Sequence, residues 1–150
     1  MFIKRCTSCW EETQALGKRL GNQLRSGDII LLSGELGAGK TVLAKGIAEG
    51  WGIHDVILSP TFTLLKEYRN GHLALYHFDW YRVQSEEEIY ALGFDEIIGT
   101  DGITLIEWPE HANSAIPPSC LEIIITRKGY DNERSIQIQA FGSMMMPKDV

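Results

Sequence analysis

No apolar run in this sequence approaches the roughly 20 residues that cross a bilayer, and the first residues carry no apolar stretch of a secretion signal. A cytoplasmic location with no membrane partner is the expectation. Cysteine is scarce. Cys6, Cys9 and Cys120 are an odd number that cannot close a disulfide framework, which suits a reducing compartment. Cys6 and Cys9 stand in C-x-x-C spacing, but zinc takes four ligands and no second C-x-x-C or paired histidine completes a set. Ordinary thiols are expected there. Positive charge is also in deficit, with 14 Lys plus Arg against 20 Asp plus Glu, a net charge of −6 and a pI near 5.2. The basic residues fall in scattered pairs, Lys4-Arg5, Lys18-Arg19 and Arg127-Lys128, rather than in a stripe. A protein that grips nucleic acid by itself is thereby disfavoured.

The chain has 150 residues, 44% of them hydrophobic, with no repeat, linker or low-complexity tract, so one domain over 1–150 is expected. Phe2-Ile3 starts a short strand. Ser8 and Glu11 have capping-box spacing, and Leu16, Leu20 and Leu24 line one face of a helix ending near Gly27. Ile29 to Leu32 is apolar on both faces, as a buried parallel strand requires. After a glycine-rich segment, Val42 through Trp51 reads as a helix. Phe62 to Tyr68 and His72 to Phe78 flank Asn70-Gly71, a hairpin signal. Ser85 and Glu88 open a short helix stopped by Gly93, and Ile103 to Ile106 is a strand. Leu121 to Thr126 and Ser135 to Gln139 form a late strand pair, and the tail from about residue 143, with Met144-Met145-Met146, is expected to fray. Strands interleaved with helices predict an α/β sandwich of P-loop NTPase type, with a mixed, mostly parallel central sheet and helices on both faces.

Gly34-Glu35-Leu36-Gly37-Ala38-Gly39-Lys40-Thr41 fits G-x-x-x-x-G-K-[ST]. Glycines let the chain wrap so that backbone N–H groups converge on phosphate oxygens, and the following helix adds its positive end. Lys40 then reaches the β- and γ-phosphates, while the Thr41 hydroxyl ligates Mg²⁺. A chance match in a chain of this composition has odds of about one in 200. An apolar strand before the loop and a helix after it narrow those odds further. Nucleotide binding follows.

Such a loop works with a carboxylate at the end of a neighbouring strand. Ile103-Thr104-Leu105-Ile106-Glu107 and Leu75-Tyr76-His77-Phe78-Asp79 both end in one. Glu107 is assigned to Mg²⁺ and Asp79 to the attacking water or to Mg²⁺, roles that could be exchanged; the alternative is a loop cap or a salt bridge to Arg82. Thr61, in Ser59-Pro60-Thr61-Phe62, stands where a switch threonine senses the γ-phosphate, or else satisfies local backbone. Trp80, Tyr81 and Trp108 read as packing aromatics before stacking ones, and His77 and His111, without metal-spaced neighbours, as structural.

Together these motifs resemble the TsaE (YjeE) family of bacterial P-loop ATPases over roughly residues 7–140. Glu11-Glu12-Thr13 with Leu16-Gly17, the loop above, Ser59-Pro60-Thr61-Phe62-Thr63-Leu64, His77-Phe78-Asp79-Trp80-Tyr81-Arg82, Leu92-Gly93 and Ile106-Glu107-Trp108-Pro109 follow in the family's order. Glu35 stands where Asp is commoner, and Trp80 where Leu is. The resemblance implies a small Mg²⁺-dependent ATPase needed to make threonylcarbamoyladenosine in tRNAs that read ANN codons. It implies action with the TsaB–TsaD pair, whose TsaD transfers the threonylcarbamoyl group, and contact with tRNA only through that complex. By the same resemblance Lys40 is the phosphate lysine, Thr41 and Glu107 hold magnesium, and Asp79 is essential for hydrolysis. Residues Glu35, Leu36, Gly37, Ala38, Gly39, Lys40, Thr41 and Val42 would surround ATP or ADP, with Ser8, Thr61 and Arg134 adding contacts outside the loop. Two other readings compete: a small-molecule kinase, which needs arginines converging on an acceptor anion, and a nucleotide-gated binding module that does not hydrolyse.

Overall fold

The computed structural model describes residues 2–129 and 132–150. The chain runs β1 (Phe2–Thr7), α1 (Trp10–Gly21), β2 (Ile29–Ser33), α2 (Lys40–Trp51), β3 (Leu65–Asn70), β4 (Leu73–Asp79), α3 (Glu86–Ala91), β5 (Ile103–Glu107), β6 (Cys120–Arg127) and β7 (Arg134–Phe141). Short 3-10 segments at Phe94–Glu96 and Pro109–Ala115 complete it. The strands form one sheet in the order β1-β7-β6-β2-β5-β4-β3. The central β6, β2, β5 and β4 run parallel, while β1, β7 and β3 attach antiparallel at the flanks. This is the mixed, centrally parallel α/β sheet that the pattern of strands and helices predicts. No helix among the described residues is long and apolar enough to cross a membrane.

Alternation along each strand divides the core in two. Ile30 and Leu32 of β2 join Leu105 and Ile123 against Leu16 and Leu20 of α1 and Leu43 and Ile47 of α2. Ile29 and Leu31 point the other way, to Phe78, Trp80, Ile106 and Ile89 of α3. Helices α1 and α2 touch through glycine. A Cβ at Gly17 or Gly21 would collide with the carbonyls of Leu43 or Ile47, and one at Gly46 or Gly50 with those of Gln14 or Lys18. Only hydrogen side chains let these backbones approach so closely.

Several local boundaries differ from expectation. Cys9, not Ser8, is the N-cap of α1, without a side-chain cap bond, and the Ser8 N–H donates to the Glu12 carboxylate at 3.4 Å. A buried hydroxyl pair, Thr7 to Thr13 at 2.7 Å, pins the end of β1 to the helix and sets this register. The helix stops at Gly21, short of Gly27. Ser85 does occupy the N-cap position of α3, but without a side-chain cap bond, and the Glu88 carboxylate accepts the N–H of Gln84. Strand β3 starts at Leu65 because residues 60–64 turn: the Leu64 N–H donates to the Pro60 carbonyl and Leu64 takes a φ of 66°. The hairpin turn is one residue later than Asn70-Gly71, since Asn70 pairs with Leu73 across Gly71 and His72.

The tail also departs from the frayed segment expected. Val150 is buried in the α1–α2 core, with Met144 and Met146 packed against it. Gln23 exchanges two hydrogen bonds with the backbone of Lys148, and Arg5 donates to the Val150 carbonyl.

Candidate nucleotide site

Three parallel strands end at one place. Leu32 of β2 is in register with Glu107 of β5, and Glu107 with Asp79 of β4. Ile103 and Leu105 face α2, so Glu107, two residues on, faces the same way; Leu75 sets the same phase for His77 and Asp79. Both carboxylates are buried. The segment after β2 turns back through Gly37 (φ 78°) and Gly39 (φ 110°), left-handed positions that disfavour a side chain, and α2 begins at Lys40. The first-turn N–H groups of α2, those of Lys40, Thr41 and Val42, have no acceptor within the helix. Ala38 anchors the loop: its N–H donates to the Glu35 carbonyl at 3.1 Å, and its carbonyl accepts from Arg134 Nε at 2.7 Å.

Lys40 is folded back across this loop. Its ammonium donates to the Gly34 carbonyl at 2.5 Å and lies 3.7 Å from the centre of the Trp108 ring. Burial pulls its pKa down, and the negative charges of Glu107, Asp79 and Glu110 oppose that loss. A cation held by one carbonyl and an indole face, in the field of three acids, can turn to an anion that takes their place.

Asp79 and Glu107 are held differently. Asp79 Oδ2 accepts from Ser59 Oγ at 2.7 Å and Thr61 Oγ1 at 2.9 Å, and Oδ1 accepts the Tyr81 N–H at 2.9 Å. None of these bonds involves Arg82, whose guanidinium lies over Phe62 at 5.1 Å. Glu107 Oε2 pairs with Nε2 of the fully buried His77 at 2.7 Å. His111 is bonded through Nδ1 to the Trp80 carbonyl at 2.8 Å. Trp80 is core packing, whereas Trp108 stands over Lys40 with Tyr81 and His111 against it.

Glu35, Leu36 and Gly37 form the exposed rim of the loop, with Thr41 and Val42 half-buried behind it. Beside them a cleft of about 70 Å³ is lined by Trp10, Thr13, Gly39, Val42, Asn132 and Arg134. Arg134 is therefore at the loop, as the resemblance implies. Ser8 is exposed and outside the cleft lining, and Trp10 and Thr13 stand there from the same stretch of chain. Sequence reasoning missed Trp10, Thr13, Asn132, the bonds of Ser59 and His77, and Glu110, whose carboxylate accepts from Ser33 Oγ at 3.5 Å. His77 was within reach of it, since a residue two before Asp79 on a strand must share its face. Among the described residues no group of three His, Cys, Asp or Glu could hold a metal by itself.

The family model described as threonylcarbamoyl adenosine biosynthesis protein TsaE matches residues 7–136. The tRNA threonylcarbamoyladenosine biosynthesis protein TsaE of Bacillus subtilis is 45% identical over 133 residues, covering 89% of this chain and 82% of the relative. That of Treponema pallidum is 40% identical over 135 residues, covering 89% and 98%. The crystal structure of Bacillus subtilis YdiB superposes with a TM-score of 0.82 at 40% identity, covering 95% of this chain and 87% of that one. The chain belongs to the TsaE family of tRNA threonylcarbamoyladenosine biosynthesis proteins.

Proposed function

We propose that the chain is the ATP-hydrolysing member of the tRNA threonylcarbamoyladenosine system, working with the TsaB–TsaD pair and meeting tRNA only through it. The observation that supports this best is the convergence of Lys40, at the start of α2, with two buried carboxylates at register-paired strand ends. Amides of residues 35–41 and the Lys40 ammonium bind the β- and γ-phosphates of ATP, displacing the lysine from Gly34 and Trp108. Thr41 and Glu107 would hold Mg²⁺. Their donor set fits, since a hydroxyl and a carboxylate are the hard oxygen donors that Mg²⁺ takes. His77 takes one Glu107 oxygen and leaves the other to the ion. An ion held by these two residues would supply positive charge to the phosphoryl oxygens.

Asp79 has the second role. Its oxygens are engaged by Ser59, Thr61 and Tyr81, so in the resting chain it holds the 59–61 segment at the strand ends. When the Thr61 hydroxyl turns to a γ-phosphate, the Asp79 oxygen it leaves orients the attacking water. The water attacks the γ-phosphorus in line as the bond to the β,γ-bridging oxygen breaks, ADP leaves with the bonding pair, the water's protons pass to the released phosphate, and the loop amides with Lys40 stabilise the charge that spreads over the phosphoryl oxygens. Among the described residues Arg82 and Arg134 are already engaged, Arg82 on the Phe62 ring and Arg134 at the Ala38 carbonyl. Hydrolysis by the chain alone is therefore slow and rises in the complex. A kinase is disfavoured because Arg69 pairs with Glu67 and Asp101 instead of converging with the others on an acceptor anion.

The test is ATP turnover by the chain alone and then with TsaB–TsaD and tRNA, with Lys40→Ala as the blank. Turnover raised by the pair and abolished in the variant is the expected result. Turnover indifferent to the partners would overturn the reading.

A further inference from the structure

A cavity of about 610 Å³ opens where β2 and β6 begin, at the end of the sheet opposite the phosphate loop. That is the volume of a small-molecule site. Its inner wall is apolar: Leu20 and Leu121 belong to the core, and Leu24, Met144 and Met146 pack beside them. Its roof is a strap, residues 143–148, held at both ends. At one end Ser119 Oγ shares a hydrogen bond with the Ser143 hydroxyl at 3.1 Å and accepts the Ser143 N–H at 3.0 Å. At the other, the Gln23 amide exchanges hydrogen bonds with the Lys148 backbone at 2.6 and 2.7 Å. Between these anchors Met144 and Met146 are half-buried, while Met145 is 61% exposed. A strap fixed at both ends spans the space beneath it instead of collapsing into it. The strap lies beyond residues 7–136, the part of the chain that the family model matches, so the machinery shared by the family does not account for it.

The mouth of the cavity is dominated by positive charge. Arg25 and Lys148 line it, both exposed, and neither side chain takes part in an ion pair among the described residues. Asp28, the acid in the lining, is turned to its own loop, where its carboxylate accepts the Arg25 N–H at 2.7 Å. Independently of the nucleotide reading, we propose that this cavity binds a small amphipathic acid, an unbranched hydrocarbon chain ending in a carboxylate. The hydrocarbon takes the place of water against the leucines and the two inner methionines, whose unbranched side chains adapt to a flexible ligand. The carboxylate stays at the mouth, where the Arg25 guanidinium and the Lys148 ammonium supply the opposite charge. A neutral lipid lacks the charge and a short acid lacks the body, so tight binding needs both parts in one molecule.

The experiment titrates the full chain with decanoate below its micellar concentration, by calorimetry and by NMR of isotope-labelled methionine methyl groups. Decanol supplies the same body without the charge, and butyrate the charge with little body. We expect saturable one-to-one binding of decanoate, with decanol and butyrate each weaker by roughly tenfold or more. The methyl signals of Met144 and Met146 should shift to saturation, and that of Met145 less. Arg25→Gln combined with Lys148→Gln should weaken decanoate by about tenfold and leave decanol unchanged. Both residues are exposed, so an unchanged melting temperature reports that this variant is folded. Decanoate that does not saturate, or that binds only as micelles form, overturns the proposal. So does decanol that binds as tightly as decanoate, or a doubly substituted chain that keeps its affinity. Saturable binding that leaves the Met144 and Met146 methyls unmoved puts the acid elsewhere and overturns it as well.

Discussion

Lys40 and Asp79 illustrate two ways in which a fold holds a buried charged side chain. A buried lysine loses hydration, and here a carbonyl at 2.5 Å, an indole face at 3.7 Å and nearby acids replace it. On the proposed reading a polyphosphate takes the place of all three. Asp79 is instead saturated, with three donors on two oxygens. Its loss frees two hydroxyls and one backbone N–H at once. Asp79→Ala is expected to cut single-turnover ATP hydrolysis by about 100-fold or more while ATP still binds. The same variant should speed hydrogen exchange across residues 59–64. Full hydrolysis in that variant would remove Asp79 from the mechanism, and unchanged exchange would remove it as the anchor of the segment.

At the scale of elements, the contact between α1 and α2 decides where the phosphate loop points, because α2 starts in that loop. Gly46→Ala makes the competition measurable. Alanine improves helix propensity by roughly 0.8–1 kcal/mol, but its Cβ would enter the space of the Gln14 carbonyl. A backbone carbonyl has no rotamer to change, so the clash wins and the helices separate. A net loss of about 2 kcal/mol is expected, seen as a melting temperature lower by roughly 4–8 °C. A variant of equal or higher melting temperature would show that the helix pair tolerates a wider spacing than this packing implies.

For the whole molecule, the two ends of the chain meet. Residues 143–150 return across α1, burying Val150 and bonding Arg5 and Gln23, so the last segment closes the sandwich against the first strand and helix. Burial of the Val150 side chain alone is worth about 1.5–3 kcal/mol. A chain cut after Gly142 should melt at a lower temperature and show faster hydrogen exchange in α1. Its tripolyphosphate affinity should be intact, because no tail residue lines the phosphate loop or the cleft. An unaltered melting curve would mean that the tail adds no net stability.

Much of this was legible beforehand, for reasons that differ by feature. The central strands announced themselves because β2 and β5 are buried along their length and so are mostly apolar, and the loop because its tight backbone turns favour glycine at positive φ. The carboxylates at the ends of β4 and β5 were visible as strands closing on an acid. Boundaries slipped where side chains overrode local signals: Thr7 with Thr13 moved the start of α1, and Ser59 and Thr61 on Asp79 bent residues 60–64 away from an extended strand. Short-range patterning by itself therefore determined the fold class, the phosphate loop and the candidate acids, since each rests on the identity of neighbours in the chain. Only the tertiary structure decided that His77 braces Glu107, that Trp108 covers Lys40, that Trp10 and Arg134 share one cleft and that the tail docks. Those contacts join residues 30, 68, 124 and 145 positions apart or span different elements, and no periodicity in a sequence encodes which distant side chains the sheet order will bring together.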